Sequence, residues 1–460
     1  MSDFRLEAFL QPNLLIGAES ATVALTVSGG AAAAAAKPRR IVGLIIDNSG
    51  SMEEKMGSGG PYRRGQDPDD DANQDKIVVA RHAARVAINT LPDDVEFFVI
   101  GFSSDARVYV PRTLATPDAK RRAQEAIQKM DAVGGTVISR ALRAARQQVE
   151  GCAGAICVVG LLTDGDNSSA DAGDLAKEIK ASEGILQAHC RGFGTDWKSA
   201  KLRPISDGLM GTLGIVAKPA ALEADFRSIL ATAVGKTVSD LRVRVWMPKV
   251  VTLRSFKQMF PAENDITAKQ VPVDQRSVDI PLGPWGTDSQ DYQAVFATAP
   301  RDPDGVSTAI CRPSLVYTDP ATGQEVLVPA EVHYDPPPAW GEIRDGVVEV
   351  AWTDDLSLTM RANKVVEHYS GESEKAAAKL EFAEAWEKGD EPTATVHLQR
   401  VIDLANKSGD ADTVRMVRQV ADVDSSGTVT LRRKGEVSKA DVMSLEVSGT
   451  WRAERGHERL

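Results

Sequence analysis

The segment IVGLIIDNSGSM, residues 41–52, decides the fold. Its first six residues form an uninterrupted apolar run, which is typical of a strand buried on both faces of a parallel sheet. The run ends in Asp47, so the strand delivers a carboxylate to its carboxyl end. In open α/β sheets, ligands bind outside the carboxyl ends of the strands. We therefore expect a ligand site directly after this strand.

Four further apolar runs of the same kind follow, and helical patterns separate them. The runs lie at 95–102, 155–164, 185–194 and 211–217, and the helical patterns at 74–91, 118–130, 136–150, 171–182 and 221–236. Strands that alternate with helices indicate βαβ crossovers, so residues 40–236 are predicted to form a doubly wound, Rossmann-like α/β domain. RVYVPR (107–112) follows its neighbour closely and is expected to add one antiparallel edge strand.

Outside this domain the pattern changes twice, so the chain is predicted to be multidomain. Residues 237–338 contain short alternating strands separated by Gly, Pro and Asp, which predict an antiparallel β-sandwich. Residues 1–39 combine β-type runs at 14–28 with a linker, and we expect these strands to join the sandwich, so that the α/β domain is inserted into it. Residues 339–426 are predicted to form a C-terminal helical bundle, with breaks at Gly371, Gly389 and Gly409, and residues 427–460 a flexible tail.

Three short segments place oxygen ligands at one rim of the predicted sheet. The first strand is followed by Asp47-x-Ser49-x-Ser51, a second buried strand ends in Asp164, and Thr136 opens a helix after a Gly-Gly turn. Two carboxylates and three hydroxyls suit a hard divalent cation, because Mg²⁺ prefers six oxygen ligands and keeps several waters.

These segments resemble the metal-ion-dependent adhesion site of von Willebrand factor type A domains. Every position of that motif (D-x-S-x-S, a Thr after a glycine turn, and T-D-G) is present in the usual order, and the similarity covers roughly residues 40–236. The resemblance implies that Ser49, Ser51 and Thr136 bind Mg²⁺ or Mn²⁺ through their hydroxyls. It also implies that Asp47 and Asp164 hold the ion directly or through water, and that a Glu or Asp carboxylate of a partner protein fills an open position.

The whole arrangement resembles bacterial intracellular proteins in which an A domain lies next to a β-sandwich. Such proteins often accompany MoxR-type ATPases or kinase and phosphatase signalling proteins. We therefore expect a metal-dependent adaptor protein that binds other proteins and is not an enzyme. Two alternatives stay open: an enzyme that uses Mg²⁺ as a Lewis acid, and a protein whose ion only stabilises the fold. Against the enzyme, the three motif segments contain no His or Glu that would serve as a general base.

The composition argues against several other classes of protein. The net charge of −11 and the lack of a long Lys/Arg run disfavour a nucleic-acid-binding protein. The first ten residues do not fit a signal peptide, and no stretch approaches the roughly 18 uninterrupted apolar residues of a membrane span. Four cysteines in 460 residues cannot form a disulfide framework. These observations predict a cytoplasmic protein without a membrane span.

Three further features leave alternatives open. Asp166 either caps its turn or tunes the metal through hydrogen bonds, and we favour the cap. The loop 53–75 is a solvated insertion, a calcium site or a partner contact, and its candidate calcium ligands are Asp67, Asp69, Asp70 and Asp71. Residues 422–433 resemble an EF-hand loop, but the twelfth position is Arg433 where a Glu is required, so a turn at a helix end is favoured.

Overall fold

The computed structural model describes residues 4–30, 38–55, 74–165, 167–216, 218–340, 343–359, 363–424, 426–433 and 435–448. Asp166 lies outside these ranges, and so do the candidate calcium ligands of the 53–75 loop, Asp67, Asp69, Asp70 and Asp71. The chain divides into two compact units. The first consists of Met1–Ala36, Asp240–Val437 and Ser448–Leu460, and the second of Lys37–Ser239 and Ser438–Val447.

The chain begins with three strands of the first unit and then forms the α/β sheet of the second. The first three strands are β1 (Phe4–Leu10), β2 (Asn13–Leu15) and β3 (Ser20–Gly29). The second unit contains β4 (Arg40–Asp47), α1 (Lys76–Asn89), β5 (Glu96–Phe102), β6 (Ala106–Leu114), α2 (Pro117–Gln128), α3 (Ile138–Gln148), β7 (Ile156–Thr163), α4 (Ala172–Ser182), β8 (Gln187–Phe193), α5 (Ser199–Gly208), β9 (Leu213–Val216) and α6 (Pro219–Gly235).

The sheet of the second unit has the strand order β6-β5-β4-β7-β8-β9. All neighbours are parallel except β6, which pairs antiparallel with β5 at the edge, as predicted from the short connection between them. The order reverses at β4, because β5 lies on one side of it and β7 on the other. This reversal is the position at which doubly wound sheets bind their ligands.

The central strand β4 is buried along its whole length because helices cover both faces of the sheet. Val42, Leu44 and Ile46 belong to an apolar cluster with α1, α2 and α6. Ile41 and Ile45 point to the opposite face and pack in a second cluster with α3 and α5. The continuous apolar run of β4 therefore follows from two-sided burial, in which both sets of alternate side chains leave water.

A glycine in the middle of β4 is required by close packing. A Cβ atom at Gly43 would lie 2.3 Å from Cζ of Phe98 and 2.8 Å from Cγ1 of Val159. Both side chains project from the neighbouring strands onto the same face of the sheet. They fill the space above Gly43, and a larger residue there would push β4 away from them.

The first unit contains two mostly antiparallel sheets that use strands from before and after the α/β domain. After β1 to β3, its strands are β10 (Val238–Trp246), β11 (Thr252–Phe260), β12 (Asn264–Asp265), β13 (Val271–Pro272), β14 (Ser277–Trp285), β15 (Ser289–Ala297), β16 (Thr308–Thr318), β17 (Glu325–Pro329), β18 (Glu331–Tyr334) and β19 (Val348–Thr353). One sheet has the order β12-β11-β15-β3-β1-β18, and the other β13-β14-β10-β16-β19-β2, with β17 also paired to β16.

Strand pairing links the N-terminal residues to segments more than 250 residues later. β3 pairs along its length with β15, and β1 pairs with β18. The expectation that residues 1–30 supply strands to a later sheet agrees with these pairings. The predicted boundary at residue 338 is wrong in one respect, because β19 lies beyond it and pairs with β16 and β2.

The helical region that follows has the elements α7 (Leu356–Thr359), α8 (Lys364–Lys388), α9 (Glu391–Ser408) and α10 (Ala411–Val420), and β20 (Ala421–Val423) and β21 (Val429–Leu431) form a hairpin after them. Gly389 and Gly409 end α8 and α9 in the left-handed conformation, as expected for helix C-caps. Gly371 does not break the chain and lies inside α8, where a single glycine costs only about 1 kcal/mol. Within the described residues, no helix combines the length and apolar character needed to cross a bilayer.

The segment that resembles an EF-hand forms the turn of this hairpin. Oδ1 of Asp424 accepts hydrogen bonds from the amides of Ser426 and Thr428, at 2.9 Å and 2.8 Å. The carboxylate therefore serves the backbone of the turn, which joins two strands rather than ending a helix.

The prediction of a flexible tail from residue 427 is wrong as far as residue 448. β21 pairs with β20, and a last helix, α11 (Lys439–Ser448), belongs to the second unit. Met443 and Val447 of this helix are buried in the same apolar cluster as Ile41 and Ile45. The tail has a mixed charge, but two of its apolar residues, Met443 and Val447, are buried against the α/β domain, and a local reading of the sequence does not reveal this contact.

Met443→Ala tests this docking. Removing a buried Met side chain should lower the free energy of unfolding by about 2–4 kcal/mol, through lost apolar contact and the cavity that remains. Urea denaturation followed by circular dichroism measures the change. Lys439→Ala, at an exposed position of the same helix, should change it by less than about 0.5 kcal/mol. Equal effects of the two substitutions would show that α11 does not pack as described.

Candidate metal site

The predicted site lies where β4 and β7 end side by side. These strands are parallel neighbours, and their register pairs Ile46 with Leu162. The residues that follow therefore emerge at the same edge of the sheet, although more than 100 residues separate them in sequence. Asp47 and Asp164 are both completely buried at this edge.

Asp47 is held by donors that carry no charge. Its Oδ1 accepts a hydrogen bond from the amide of Ser49 at 2.8 Å, and its Oδ2 accepts one from the hydroxyl of Thr163. Burial raises the pKa of Asp47 from 3.8 to about 6, although the bonds from Thr163 and Ser49 oppose this change. The negative charge of Asp164 makes a smaller contribution to this rise. The carboxylate thus lacks the compensation that a nearby cation would give.

Two of the predicted hydroxyl ligands lie next to this carboxylate pair. Oγ of Ser49 is 3.1 Å from Oγ of Ser51, and the Ser51 hydroxyl donates to Oδ1 of Asp164 at 2.8 Å. Adjacent ligands of an octahedral Mg²⁺, with bonds of about 2.0–2.1 Å, lie about 3 Å apart. The spacing of these three oxygens is therefore close to that of neighbouring ligands around one small cation.

Backbone hydrogen bonds hold the segment that carries Thr136 against the loop after β4. The amide of Val133 donates to the carbonyl of Asn48 at 2.7 Å, and the amide of Gly50 donates to the carbonyl of Gly134 at 3.0 Å. Because the two bonds run in opposite directions between the segments, they fix both the separation and the register of the two loops.

Thr136 faces the same point as Ser51. A Cβ atom built on Gly165 would lie 3.5 Å from Oγ1 of Thr136 and 3.7 Å from Oγ of Ser51. The amide of Ser168 also donates to the Thr136 carbonyl at 3.0 Å, which joins this segment to the loop after β7. The structure therefore brings all five predicted site residues to one rim.

Sequence reasoning missed one member of this site, Lys76. It is the first residue of α1, its side chain is 2% exposed, and its Nζ donates to Oδ2 of Asp164 at 2.7 Å. Burial lowers the pKa of Lys76, but the hydrogen bond and charge of Asp164 outweigh it and leave the pKa raised. Only the three-dimensional fold joins these residues, which are 88 positions apart.

The residues present fit a divalent cation. The Asp47 carboxylate is buried without a charged donor, and its pKa is raised mainly by burial and to a smaller extent by the charge of Asp164. The hydroxyls of Ser49, Ser51 and Thr136 surround the same rim and offer neutral oxygen ligands. All of these ligand atoms are hard oxygens, which Mg²⁺ and Mn²⁺ prefer.

A second group of ligand-type side chains lies in the first unit. Glu7, Glu331 and His333 bring their ligand atoms within 4.8 Å of one another on the paired strands β1 and β18. Arg5 lies 3.8 Å from Glu331, and His333 lies 3.4 Å from Glu7. These exposed groups already pair among themselves, so the cluster needs no ion.

Comparison with known proteins identifies the family. The chain is 34% identical to the von Willebrand factor type A protein from Catenulispora acidiphila, whose structure superimposes with a TM-score of 0.85 over 98% of this chain and 97% of that one. The chain is a von Willebrand factor type A protein. The family model of the von Willebrand factor type A domain matches residues 42–167, which include all five predicted site residues. Domains of this family generally mediate protein–protein interactions, and they often bind a divalent metal at an adhesion site.

Other relatives of this von Willebrand factor type A protein are more distant. A family model of a von Willebrand factor type A C-terminal domain matches residues 403–449, which include α10 and α11. The ArnB paralog VWA2 from Sulfolobus acidocaldarius shares the fold, with a TM-score of 0.55 and 12% identity over 98% of each chain. The protein sll0103 of Synechocystis sp. is 25% identical over 291 residues, which is 62% of this chain and 63% of that relative. The match thus spans less than two thirds of its length.

The raised pKa of Asp47 predicts a pH effect on stability when divalent ions are removed. The folded state holds the Asp47 proton more tightly than the unfolded state, so the free energy of unfolding falls as the pH rises from about 4 to about 6. Asp47→Asn removes this effect, and its stability relative to the wild type should rise by up to about 3 kcal/mol across that range. Urea denaturation in EDTA at pH 4 to 7 measures the difference. A difference that stays constant with pH would contradict the assignment.

Proposed function

We propose that this protein is an adaptor, not an enzyme, that captures an acidic residue of a partner protein through a bound divalent ion. The ion is Mg²⁺ or Mn²⁺, and the proposed ligands are the residues at the rim of the α/β sheet: Asp47, Ser49, Ser51, Thr136 and Asp164. We further propose that the protein acts in the cytoplasm. The partner classes suggested by the family resemblance are MoxR-type ATPases and kinase or phosphatase signalling proteins.

The observation that carries this proposal is the burial of Asp47 beside Asp164. Asp47 is completely buried, accepts hydrogen bonds from neutral donors and feels the charge of the second carboxylate. Two like charges in a small buried space disfavour ionisation of both. A divalent cation bound between them and the hydroxyls removes this repulsion, so the arrangement suits an ion better than it suits an empty site.

Neutral ligands leave such an ion able to attract another carboxylate. Three of the five proposed ligands are hydroxyls, which add no negative charge, and an ion held by them stays electrophilic. An acidic side chain from a partner would supply both the missing charge and an oxygen ligand. This chemistry agrees with the general role of the family in protein–protein interaction.

The geometry gives less support to an enzyme. The additional carboxylates near the rim, on Glu54 and Asp196, lie 3.5 Å and 3.7 Å from Nζ of Lys76, so both face an ammonium group. A described cavity of about 340 Å³ in this unit is lined by residues around Cys152 and Cys157, at the opposite ends of the strands, and by none of the five site residues.

We also propose that the two mostly antiparallel sheets of the first unit form one β-sandwich, which the α/β domain interrupts in sequence. β1 and β3 precede the α/β domain, whereas their partners β18 and β15 follow it. The rings of Phe4 in one sheet and Tyr317 in the other meet edge to face, with centroids 5.0 Å apart. This contact supports face-to-face packing of the two sheets.

Asp47→Ala tests the proposed function. The wild type should bind Mn²⁺ or Mg²⁺ in isothermal titration calorimetry, and saturating metal should raise the melting temperature through binding linkage. Asp47→Ala should keep the fold and lower the affinity for the ion by about 100-fold or more, because a charged group that holds the ion is gone. Capture of partner proteins from lysate in Mg²⁺ should fall to the level seen in EDTA.

Asp131→Ala is the matched control, because Asp131 is an exposed carboxylate on the same unit, with 83% of its side chain accessible. It should bind metal and partner like the wild type. Absence of ion binding by the wild type, alone and with a captured partner, would refute the proposal. If the ion binds but Asp47→Ala still captures the partner, the ion stabilises the fold and does not bridge the two proteins.

A further inference from the structure

Lys76 places a buried positive charge at the rim where the ion is proposed to bind. Its side chain is 2% exposed, and its Nζ donates to Oδ2 of Asp164 at 2.7 Å. The other oxygen of the same carboxylate accepts the hydroxyl of Ser51 at 2.8 Å. Asp164 thus connects the ammonium group directly to a proposed hydroxyl ligand, and the charge of Lys76 acts on the site across a single carboxylate.

The backbone around Lys76 fixes this position. The amide of Lys76 donates to the carbonyl of Glu54 at 3.0 Å, and Lys55 forms an antiparallel bridge with Asp75. These contacts tie the start of α1 to the end of the loop that carries Ser49 and Ser51. The ammonium is therefore positioned by the same segment that positions the proposed ligands.

The positive charge of Lys76 reduces the net negative charge that an ion would meet at the rim. Burying an ammonium is unfavourable unless it is paired, and here Asp164 is its nearest charged partner, while the exposed carboxylates of Glu54 and Asp196 lie farther away at 3.5 Å and 3.7 Å. Lys76 therefore offsets one of the two buried carboxylates. A divalent ion then faces one uncompensated negative charge, that of Asp47, instead of two.

We propose that Lys76 is a fixed internal cation that weakens ion binding in the absence of ligand and so makes retention of the ion depend on a carboxylate from outside. The inference rests on the proposed function and deepens it. The ammonium repels the ion, and an incoming Glu or Asp side chain restores the missing negative charge. Since coupling between two ligands is reciprocal, the ion and the acidic ligand each strengthen the binding of the other. Lys76 is a positioning and charge-setting residue, and it is not itself a ligand.

Lys76→Met tests this role with the full chain. The substitution removes the charge and keeps a side chain of similar length. Without carboxylate ligand, Lys76→Met should bind Mn²⁺ about tenfold more tightly than the wild type, as measured by calorimetry, because a like charge near the ion is gone. The rise in melting temperature on adding Mn²⁺ should also be larger, since neither Asp47 nor Asp164 then has a cationic partner in the metal-free protein.

Two further variants separate the local charge from other effects. Lys76→Arg keeps the positive charge and should keep the weak affinity for Mn²⁺. Lys177→Met changes the net charge of the protein equally, but Lys177 is an exposed residue of α4, with 78% of its side chain accessible, that pairs with Asp174. It should leave Mn²⁺ affinity unchanged. Tighter binding in Lys177→Met of the same size as in Lys76→Met would overturn the inference.

The dependence on carboxylate is measured with a pair of small probes. N-acetylglutamate amide should tighten Mn²⁺ binding by the wild type about tenfold or more, and N-acetylglutamine amide should not. In Lys76→Met the effect of the glutamate probe should shrink. If Lys76→Met does not fold, the wild-type measurement still tests the inference. Equal effects of the two probes on Mn²⁺ binding by the wild type would overturn it.

The outcomes distinguish this inference from the proposed function. Equal Mn²⁺ affinities in the wild type and Lys76→Met would overturn the role of Lys76 and leave the ion site intact. No Mn²⁺ binding by the wild type or by Lys76→Met, with either probe, would refute the proposed function, and the inference would fall with it.

Discussion

The α/β unit buries two carboxylates side by side at one edge of its sheet, and the rest of the candidate site depends on this burial. Asp47 and Asp164 reach the same edge of the sheet because β4 and β7 are parallel neighbours, and neither side chain is exposed to water. The two carboxylates nevertheless accept hydrogen bonds from different kinds of donor. Asp164 has an ammonium within hydrogen-bonding distance, whereas Asp47 has an amide and a hydroxyl. This asymmetry leaves a single negative charge uncompensated at the rim.

The rest of the α/β unit secures this arrangement. Two-sided burial fixes the register of β4. Because Gly43 has no side chain, the side chains of the neighbouring strands pack directly over it. Hydrogen bonds between the loops then hold the segments that carry the hydroxyls against one another. The loops are joined by backbone groups as well as by the ligand side chains, so we expect substitution of a single ligand to leave most of this frame in place.

The sequence predicts best those features that depend on local pattern. Buried strands are visible in the sequence as apolar runs. A carboxylate or hydroxyl directly after such a run lies at the rim of the sheet, and this placement does not depend on contacts with distant segments. Features that depend on distant partners are harder to find. α5 contains Pro204 and does not read as a helix, and Lys76 reads as an ordinary first-turn lysine until Asp164 is placed beside it. α11 likewise packs against segments far away in the sequence, and β1 pairs with the distant strand β18 as well as with its neighbour β3.

The docking of α11 has a consequence for synthesis of the protein on the ribosome. The last helix of the α/β unit before it ends at Gly235, and α11 begins at Lys439, so roughly 200 residues separate the bulk of this unit from its final element. At about 5–20 residues per second, translation of that interval takes on the order of ten seconds or more. During this time the nascent α/β unit exposes the apolar surface that Met443 and Val447 later cover. The rim can therefore assemble early in translation. The face of the sheet that packs against α3 and α5 is completed last, when α11 is made.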